Sequence, residues 1–282
     1  MSMRRSGRSP LVAARSVRPY DCRMIPIGDY LRTRSPAFVN WSLIIANIAV
    51  FLYMTLTYST HPDQLVAGSP TSPADRFLID WGFVPACLAH YFGITTSASP
   101  RDLAQVCPPG DRELIQPFTA MFIHAGWVHL GGNMLFLWIF GDNVEDNMGH
   151  LRYLLFYFLC GIAAAVAQTA LSIGTTVPAV GASGAIAGVL AAYLILYPKA
   201  MVRVIFLPLF FLPFVLPAVV LIGFWFVTQV FSGIASIGNA TAGSGVAWWA
   251  HVGGFTAGAV LIWFFRRRRP ARVPAAWSWT PS

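Results

Sequence analysis

The sequence predicts an all-α membrane protein, a bundle of six transmembrane helices with both termini in the cytoplasm. The first observation is composition: 56% of the 282 residues are hydrophobic, 11% are charged, and the mean hydropathy is +0.60. A soluble globular domain usually carries about 25% charged residues. The second observation is a set of six separate apolar stretches. The third is an uneven distribution of arginine and lysine along the chain.

Each apolar stretch is close to the roughly 20 residues that a spanning helix needs. An even number of spans places both termini on the same side of the bilayer. The fifth stretch contains Pro208, Pro213 and Pro217, each of which removes a backbone donor, so we expect this helix to be kinked or partly re-entrant. The predicted spans are residues 41–58, 118–140, 151–171, 178–197, 204–231 and 246–265.

The basic residues indicate which side holds the termini. Sixteen of the 19 Lys and Arg residues lie before the first span, between the second and third, between the fourth and fifth, or after the last. The other three, Arg76, Arg101 and Arg112, lie between the first and second spans. By the positive-inside rule both termini are cytoplasmic. Topology and contact with anionic lipid then account for the net charge of +8, and we expect no nucleic-acid partner.

Two tails flank the predicted domain, residues 39–266, and one long loop joins its first two helices. Residues 1–38 are rich in Arg, Ser and Pro, so we expect a disordered basic cytoplasmic tail. A mitochondrial transit peptide has a similar composition, but no amphipathic face accompanies these arginines. Residues 59–117 form an extracytoplasmic loop whose Cys87 and Cys107 either pair or stay as thiols. Residues 267–282 form a short cytoplasmic tail.

The second span carries three polar side chains in an otherwise apolar helix, and such groups at membrane depth tend to mark a functional site. His129 and Asn133 are four residues apart and share one helical face. His124 lies five residues before His129 and would point about 140° away from it on a continuous helix, so we assign it a structural role.

Small residues surround a serine in the fourth span and a histidine in the sixth. Ser183 has room for another backbone to approach its hydroxyl, at the top of a short helix that a glycine-containing loop enters. His251 shares one helical face with two glycines. Glycines four residues apart let two helices pack closely, and the pattern occurs in both spans, as Gly184 and Gly188 and as Gly254 and Gly258. Such packing would bring Ser183 to His251.

A serine beside a neutral imidazole is an activated nucleophile, because the histidine takes the hydroxyl proton during attack on a carbonyl. His129 and Asn133 can stabilise the oxyanion, together with the backbone N–H of Ser183. No carboxylate follows Asp146 in the chain. We therefore expect a Ser183–His251 dyad, with packing in place of a triad's third member, and no metal, cofactor or nucleotide.

The chain carries three motifs on its second, fourth and sixth predicted spans: His124-x4-His129-x3-Asn133, Gly181-Ala182-Ser183-Gly184 and Ala250-His251-x2-Gly254. In this order they resemble the rhomboid intramembrane serine proteases over residues 41–265. The resemblance implies the same roles for these residues, cleavage of single-pass membrane proteins near the outer interface, and a fifth span that acts as a lateral gate. The chain has Ile115 and Gln116 where some members have Trp-Arg, and Ala187 where some have a tyrosine stacked on the catalytic histidine.

Two other functions share parts of this pattern. A catalytically inactive relative that binds transmembrane helices would have the same fold but should have lost Ser183 or His251. A transporter also has broken, glycine-rich helices, but it would more naturally show an internal repeat or buried acids. A metalloprotease lacks support because there is no H-E-x-x-H and because His124 and His129 would face apart. The hydrolase motif G-x-S-x-G fails at Ala185. A bacterial inner membrane fits the sequence best.

Overall fold

Ten α-helices and one antiparallel pair of strands make up the computed structural model in the residues that it describes, 28–58, 72–107, 110, 112–205, 213–237 and 246–267. Residues 268–282 of the predicted tail 267–282 and most of the tail 1–38 lie outside these residues. The strands are β1 Met201–Ile205 and β2 Pro213–Pro217. The helices are α1 Phe38–Tyr58, α2 Pro73–Trp81, α3 Pro85–Tyr91, α4 Pro100–Val106, α5 Gln116–Thr119, α6 Trp127–Met148, α7 His150–Leu171, α8 Ser183–Leu196, α9 Ala218–Ser236 and α10 Trp248–Phe265.

Four of the described helices, α1, α7, α9 and α10, are long and apolar enough to cross a membrane. Every one of the six predicted spans overlaps one of the longer helices. The helices of the second and fourth spans differ from these four in length or composition: α8 is apolar but has 14 residues, and α6 has 22 residues and carries three acids near its end. The mostly helical membrane fold is therefore confirmed, and the count of six crossings stays a prediction.

The predicted bounds of the second span are wrong at both ends. After α5 comes a short 3-10 turn, Ala120–Phe122, and the chain is then non-helical until α6 begins at Trp127. The helix continues to Met148, so the acidic segment 141–149 is helical up to that residue. Glu145 supports this arrangement because its carboxylate accepts from the backbone N–H groups of Val39, at 3.0 Å, and Asn40, at 2.7 Å. These groups lie in the first turn of α1, where N–H donors have no intrahelical partner.

The fifth predicted span begins as a β-hairpin, which corrects the all-α expectation locally. In the pair β1–β2, Val202 lies opposite Leu216. Proline has a fixed φ that suits extended chain, and Pro213 and Pro217 bound β2 where a kinked helix was expected. Pro208 lies outside the described residues. Asp29 forms an isolated bridge with Val202, so the end of the predicted tail has structure from residue 28.

The centre of the bundle is α8, in which residues 184–193 are all buried. The predicted close approach of the glycine faces is confirmed. A methyl group on Gly254 would overlap the carbonyl oxygen of Gly184, and one on Gly258 would overlap that of Gly188. The backbones of α8 and α10 therefore touch along two turns, which is what sets their relative position.

The loop before α5 contains α2, α3 and α4 and packs on the chain that enters α8. The structure joins Cys87 of α3 to Cys107, which follows α4, in a disulfide. Phe83 and Ala179 exchange two backbone hydrogen bonds, of 3.0 and 2.7 Å. Gln116, at one of the positions that depart from the family, donates to the carbonyl oxygen of Ile79 at 2.8 Å. The loop thus holds the segment that precedes Ser183.

Candidate active site

Ser183 and His251 touch, as the glycine spacing predicts. Ser183 is the first residue of α8, and His251 lies in the first turn of α10. The Oγ of Ser183 is 2.8 Å from Nε2 of His251. The imidazole is buried, with 8% of the residue exposed. The pair therefore has the geometry of a nucleophile and its base, held by two helices in direct backbone contact.

His129 and Asn133 lie beside the entrance to α8. Gly181 has a φ of +123°, a conformation that glycine favours. A Cβ on Gly181 would lie 2.7 Å from Nε2 of His129 and 3.5 Å from Nδ2 of Asn133. The Nδ2 of Asn133 is buried and has no hydrogen-bond partner among the described residues. Both side chains thus present nitrogen atoms to the space that the missing side chain of Gly181 leaves open.

The predicted orientation of His124 is wrong. Its ring meets that of His129 edge to face, with the centroids 5.1 Å apart. The helical angle does not apply because His124 lies in the non-helical chain before Trp127. It is fully buried, and within the described part of the chain neither ring nitrogen has a partner. The argument that these histidines face apart, used against a metalloprotease, is lost, whereas the missing H-E-x-x-H motif stands.

Gln229 is the site residue that the sequence reasoning missed. Its Oε1 lies 2.7 Å from Nδ1 of His251, on the side of the ring opposite Ser183. The rings of Trp225 and Trp248 also contact the imidazole, with centroid distances of 5.7 and 6.3 Å. The histidine is therefore held by a hydrogen bond with Gln229 as well as by packing, whereas the sequence predicts packing alone. The available signal was a strongly polar side chain within an apolar span, the same signal that identified His129 and Asn133.

A second glutamine holds the beginning of α10. Gln168 of α7 accepts from the backbone N–H of Ala250 at 3.0 Å and donates to the hydroxyl of Ser172 at 3.1 Å. Ala250 immediately precedes His251. The same N–H also lies 3.1 Å from the carbonyl oxygen of Ala247, so Gln168 is a second acceptor at the helix end that carries the histidine.

Known proteins match this region of the chain. The model of the Rhomboid domain matches residues 111–268. The chain is 26% identical to RHOMBOID-like protein 6, mitochondrial, of Arabidopsis thaliana over 166 residues, 57% of this chain and 52% of that protein. It is 34% identical to the Rhomboid protease GluP of Bacillus subtilis over 125 residues, 44% of this chain and 24% of that protein.

A human relative gives a similar result. The chain is 30% identical to the Presenilin-associated rhomboid-like protein, mitochondrial, of Homo sapiens over 105 residues, 36% of this chain and 28% of that protein. The chain thus spans about half the length of the Arabidopsis relative and about a quarter of the other two. The family model covers more than half of the chain and contains all four predicted site residues.

Proposed function

Because the chain belongs to the rhomboid family, we propose that it is an intramembrane serine endopeptidase. Ser183 is the nucleophile and His251 the general base. The observation that carries the proposal is the hydrogen bond between Ser183 Oγ and His251 Nε2, formed beside two side chains that can donate to an oxyanion. One of the relatives described above is named a protease, and the others are named rhomboid-like proteins.

Acylation is the first half of the reaction. The oxygen of Ser183 forms a bond to the carbonyl carbon of the scissile peptide, and its proton passes to Nε2 of His251. The carbonyl oxygen becomes an oxyanion in the space beside Gly181. It accepts hydrogen bonds from His129, Asn133 and the backbone N–H of Ser183, which is free to donate because it lies in the first turn of α8.

Collapse of the tetrahedral intermediate completes acylation, because the C–N bond breaks and His251 gives its proton to the leaving amine. In deacylation, water attacks the Ser183 ester with the same histidine as base. Its proton passes through Nε2 back to the serine oxygen as the acid product leaves. No step requires a metal, a nucleotide or another cofactor.

The substrates we propose are single-pass membrane proteins, cut within or next to their transmembrane helix. In the proposed topology, with six crossings and both termini cytoplasmic, the start of α8 lies towards the outer face of the bilayer. The short α8 supports this depth, because 14 residues span only about 21 Å at 1.5 Å per residue, less than the roughly 30 Å hydrocarbon core. The proposed lateral gate is α9, which follows the β-hairpin.

The protein is an integral membrane protein, and its compartment stays a prediction. A bacterial inner membrane accommodates the proposed orientation. Among the relatives above, one comes from a bacterium, whereas two are named for mitochondria. Residues 1–27, where a transit peptide would lie, are outside the described residues.

Two substitutions test the proposal. Ser183→Ala and His251→Ala should each abolish cleavage of a transmembrane substrate in proteoliposomes and labelling of Ser183 by a fluorophosphonate probe. Matched controls are Ser42→Ala, whose hydroxyl bonds only within α1, and His90→Ala, an exposed residue of the outer loop. Turnover by either purified dyad variant would refute the assignment. A folded parent protein that binds transmembrane helices but neither cleaves nor labels would instead be the inactive helix-binding relative.

The proposed oxyanion donor gives a graded test. Asn133→Ala should lower kcat by about 10²- to 10³-fold, the usual cost of removing one such donor, while leaving substrate binding nearly intact. The variant should therefore remain measurably active, unlike Ser183→Ala. Activity equal to that of the parent protein would exclude Asn133 from the oxyanion site.

A further inference from the structure

We infer that Gln229 is a positioning residue that holds His251 in the tautomer with hydrogen on Nδ1. The inference rests on the proposed function for its catalytic consequence. It extends the dyad to a directed chain of hydrogen bonds that begins at Ser183 and ends in the backbone of α9.

The direction of the chain follows from the partners of the Gln229 amide. Its Nε2 lies 3.2 Å from the carbonyl oxygen of Trp225, a group that can only accept. The same nitrogen lies 3.1 Å from the hydroxyl of Thr228, whose own proton is directed to the Trp225 carbonyl at 2.6 Å. The NH₂ group must therefore point back to the Trp225 carbonyl of its own helix, and Oε1 must face the imidazole. The contact at Nδ1 of His251 is then an N–H donating to the amide oxygen.

This assignment fixes the chemistry at the other ring nitrogen. A neutral imidazole with hydrogen on Nδ1 has a lone pair on Nε2, and that lone pair faces the hydroxyl of Ser183. The opposite tautomer would place an N–H against the serine oxygen. The ring would then have no lone pair at Nε2 to take the proton of Ser183. In a Ser-His-Asp protease, the substitution that reverses the tautomer lowers kcat about 10⁴-fold. Here a neutral amide has the orienting task without supplying a negative charge.

Burial makes the loss of this hydrogen bond costly. Gln229 is one of four buried residues on α9, with 6% of the residue exposed. A buried donor that loses its partner costs the equivalent of about 5- to 150-fold in an equilibrium or rate. Gln229→Met keeps an unbranched side chain of similar length but removes the acceptor. Gln229→Glu keeps an acceptor facing Nδ1.

The test measures the tautomer directly. In the full-length protein labelled with ¹³C,¹⁵N-histidine in detergent micelles, the signals of His251 are identified by their loss in His251→Ala. The ¹⁵N shifts should show a protonated Nδ1 and a bare Nε2. In Gln229→Met they should report a mixture. Gln168→Met, a matched loss of a buried glutamine that contacts α10 but not the ring, should retain the parent tautomer even where it lowers thermal stability.

Kinetics give the second readout. Gln229→Met should slow fluorophosphonate labelling of Ser183 and lower kcat by about 5- to 150-fold at unchanged KM, and Gln229→Glu should label faster than Gln229→Met. A parent spectrum with hydrogen on Nε2 would overturn the inference whether or not the variants fold, as would a Met variant with parent tautomer and rate. If the parent protein neither labels nor cleaves, the proposed function fails, and the spectrum still decides the tautomer.

Discussion

The two helices that contact the dyad's base from opposite sides are packed in different ways. On one side, α8 is buried from residue 184 to residue 193 and meets α10 through glycines that leave no room for a methyl group. On the other side, α9 buries only Ala218, Ile222, Gln229 and Gly233. Its remaining surface is largely apolar and exposed, including Phe224 at 71% and Phe231 at 70%.

This difference divides the site into a fixed part and an adjustable part. Backbone contact between α8 and α10 sets the distance from Ser183 to His251 and tolerates no change in either helix. α9 contributes a hydrogen bond to the far side of the imidazole, and a hydrogen bond can break and re-form as a helix moves. Nucleophile and base thus lie on the rigid side, while the orientation of the base depends on the loosely packed side, which is also the proposed gate.

The largest effect should come from breaking the rigid side. Gly254→Ala adds one methyl group that overlaps the Gly184 carbonyl oxygen, so the helices must separate, at a cost of about 3 kcal/mol or more. Ser183 and His251 would separate with them, and both cleavage and fluorophosphonate labelling should be lost. Gly223→Ala on α9 is the matched control, because nothing lies within 4 Å of its added Cβ. Parent activity and an unchanged thermal midpoint in Gly254→Ala would show that the contact is not rigid.

The same contrast separates what the sequence predicts from what it does not. Glycines at a spacing of four show where backbones meet, so the Ser183–His251 contact follows from local patterns on two helices. Side-chain polarity within apolar segments also points to His129 and Asn133. These signals work because a bilayer makes both close helix packing and buried polar groups conspicuous.

Irregular backbone is what the sequence patterns describe poorly. The angle between His124 and His129 was wrong because it assumed a helix that starts only at Trp127. The prolines near residue 213 were compatible with a kink, and the actual hairpin depends on pairing with a strand whose partner a local pattern does not reveal. Gln229 lies on a face whose neighbour is known only once α9 is placed. Local polarity marks such a residue, but tertiary packing decides what it touches.

A polar contact near the C-terminal end of α8 gives a second test, of intermediate size. Asp29 accepts hydrogen bonds from the hydroxyl of Tyr193 and, at 3.0 Å, from the amide of Asn143. Burial raises the pKa of Asp29 from 3.8 to about 6. Between these values the folded protein holds a proton that the unfolded chain has lost, so stability falls as pH rises through about 6. Only above that range is the carboxylate charged in both states.

Asp29→Asn should remove this dependence. Relative to the parent protein, the variant should gain about 1–2 kcal/mol between pH 5 and pH 7.5. Thermal midpoints of the parent protein and the variant in detergent at the two pH values give the difference. A difference that does not change with pH would mean that Asp29 does not bind a proton in this range.

The smallest effect should come from loosening α9. Phe226 stacks on Phe255 of α10, with the centroids 4.1 Å apart and the rings 20° from parallel. Lipid can replace much of this contact, so Phe226→Ala should cost about 0.5–1.5 kcal/mol, the value of an aromatic pair. Phe224→Ala, on the exposed face of the same helix, is the matched control and should leave the thermal midpoint unchanged. If Phe226→Ala destabilises the protein as much as Gly254→Ala, then α9 is packed as firmly as α8, and the division of the site into fixed and adjustable parts is wrong.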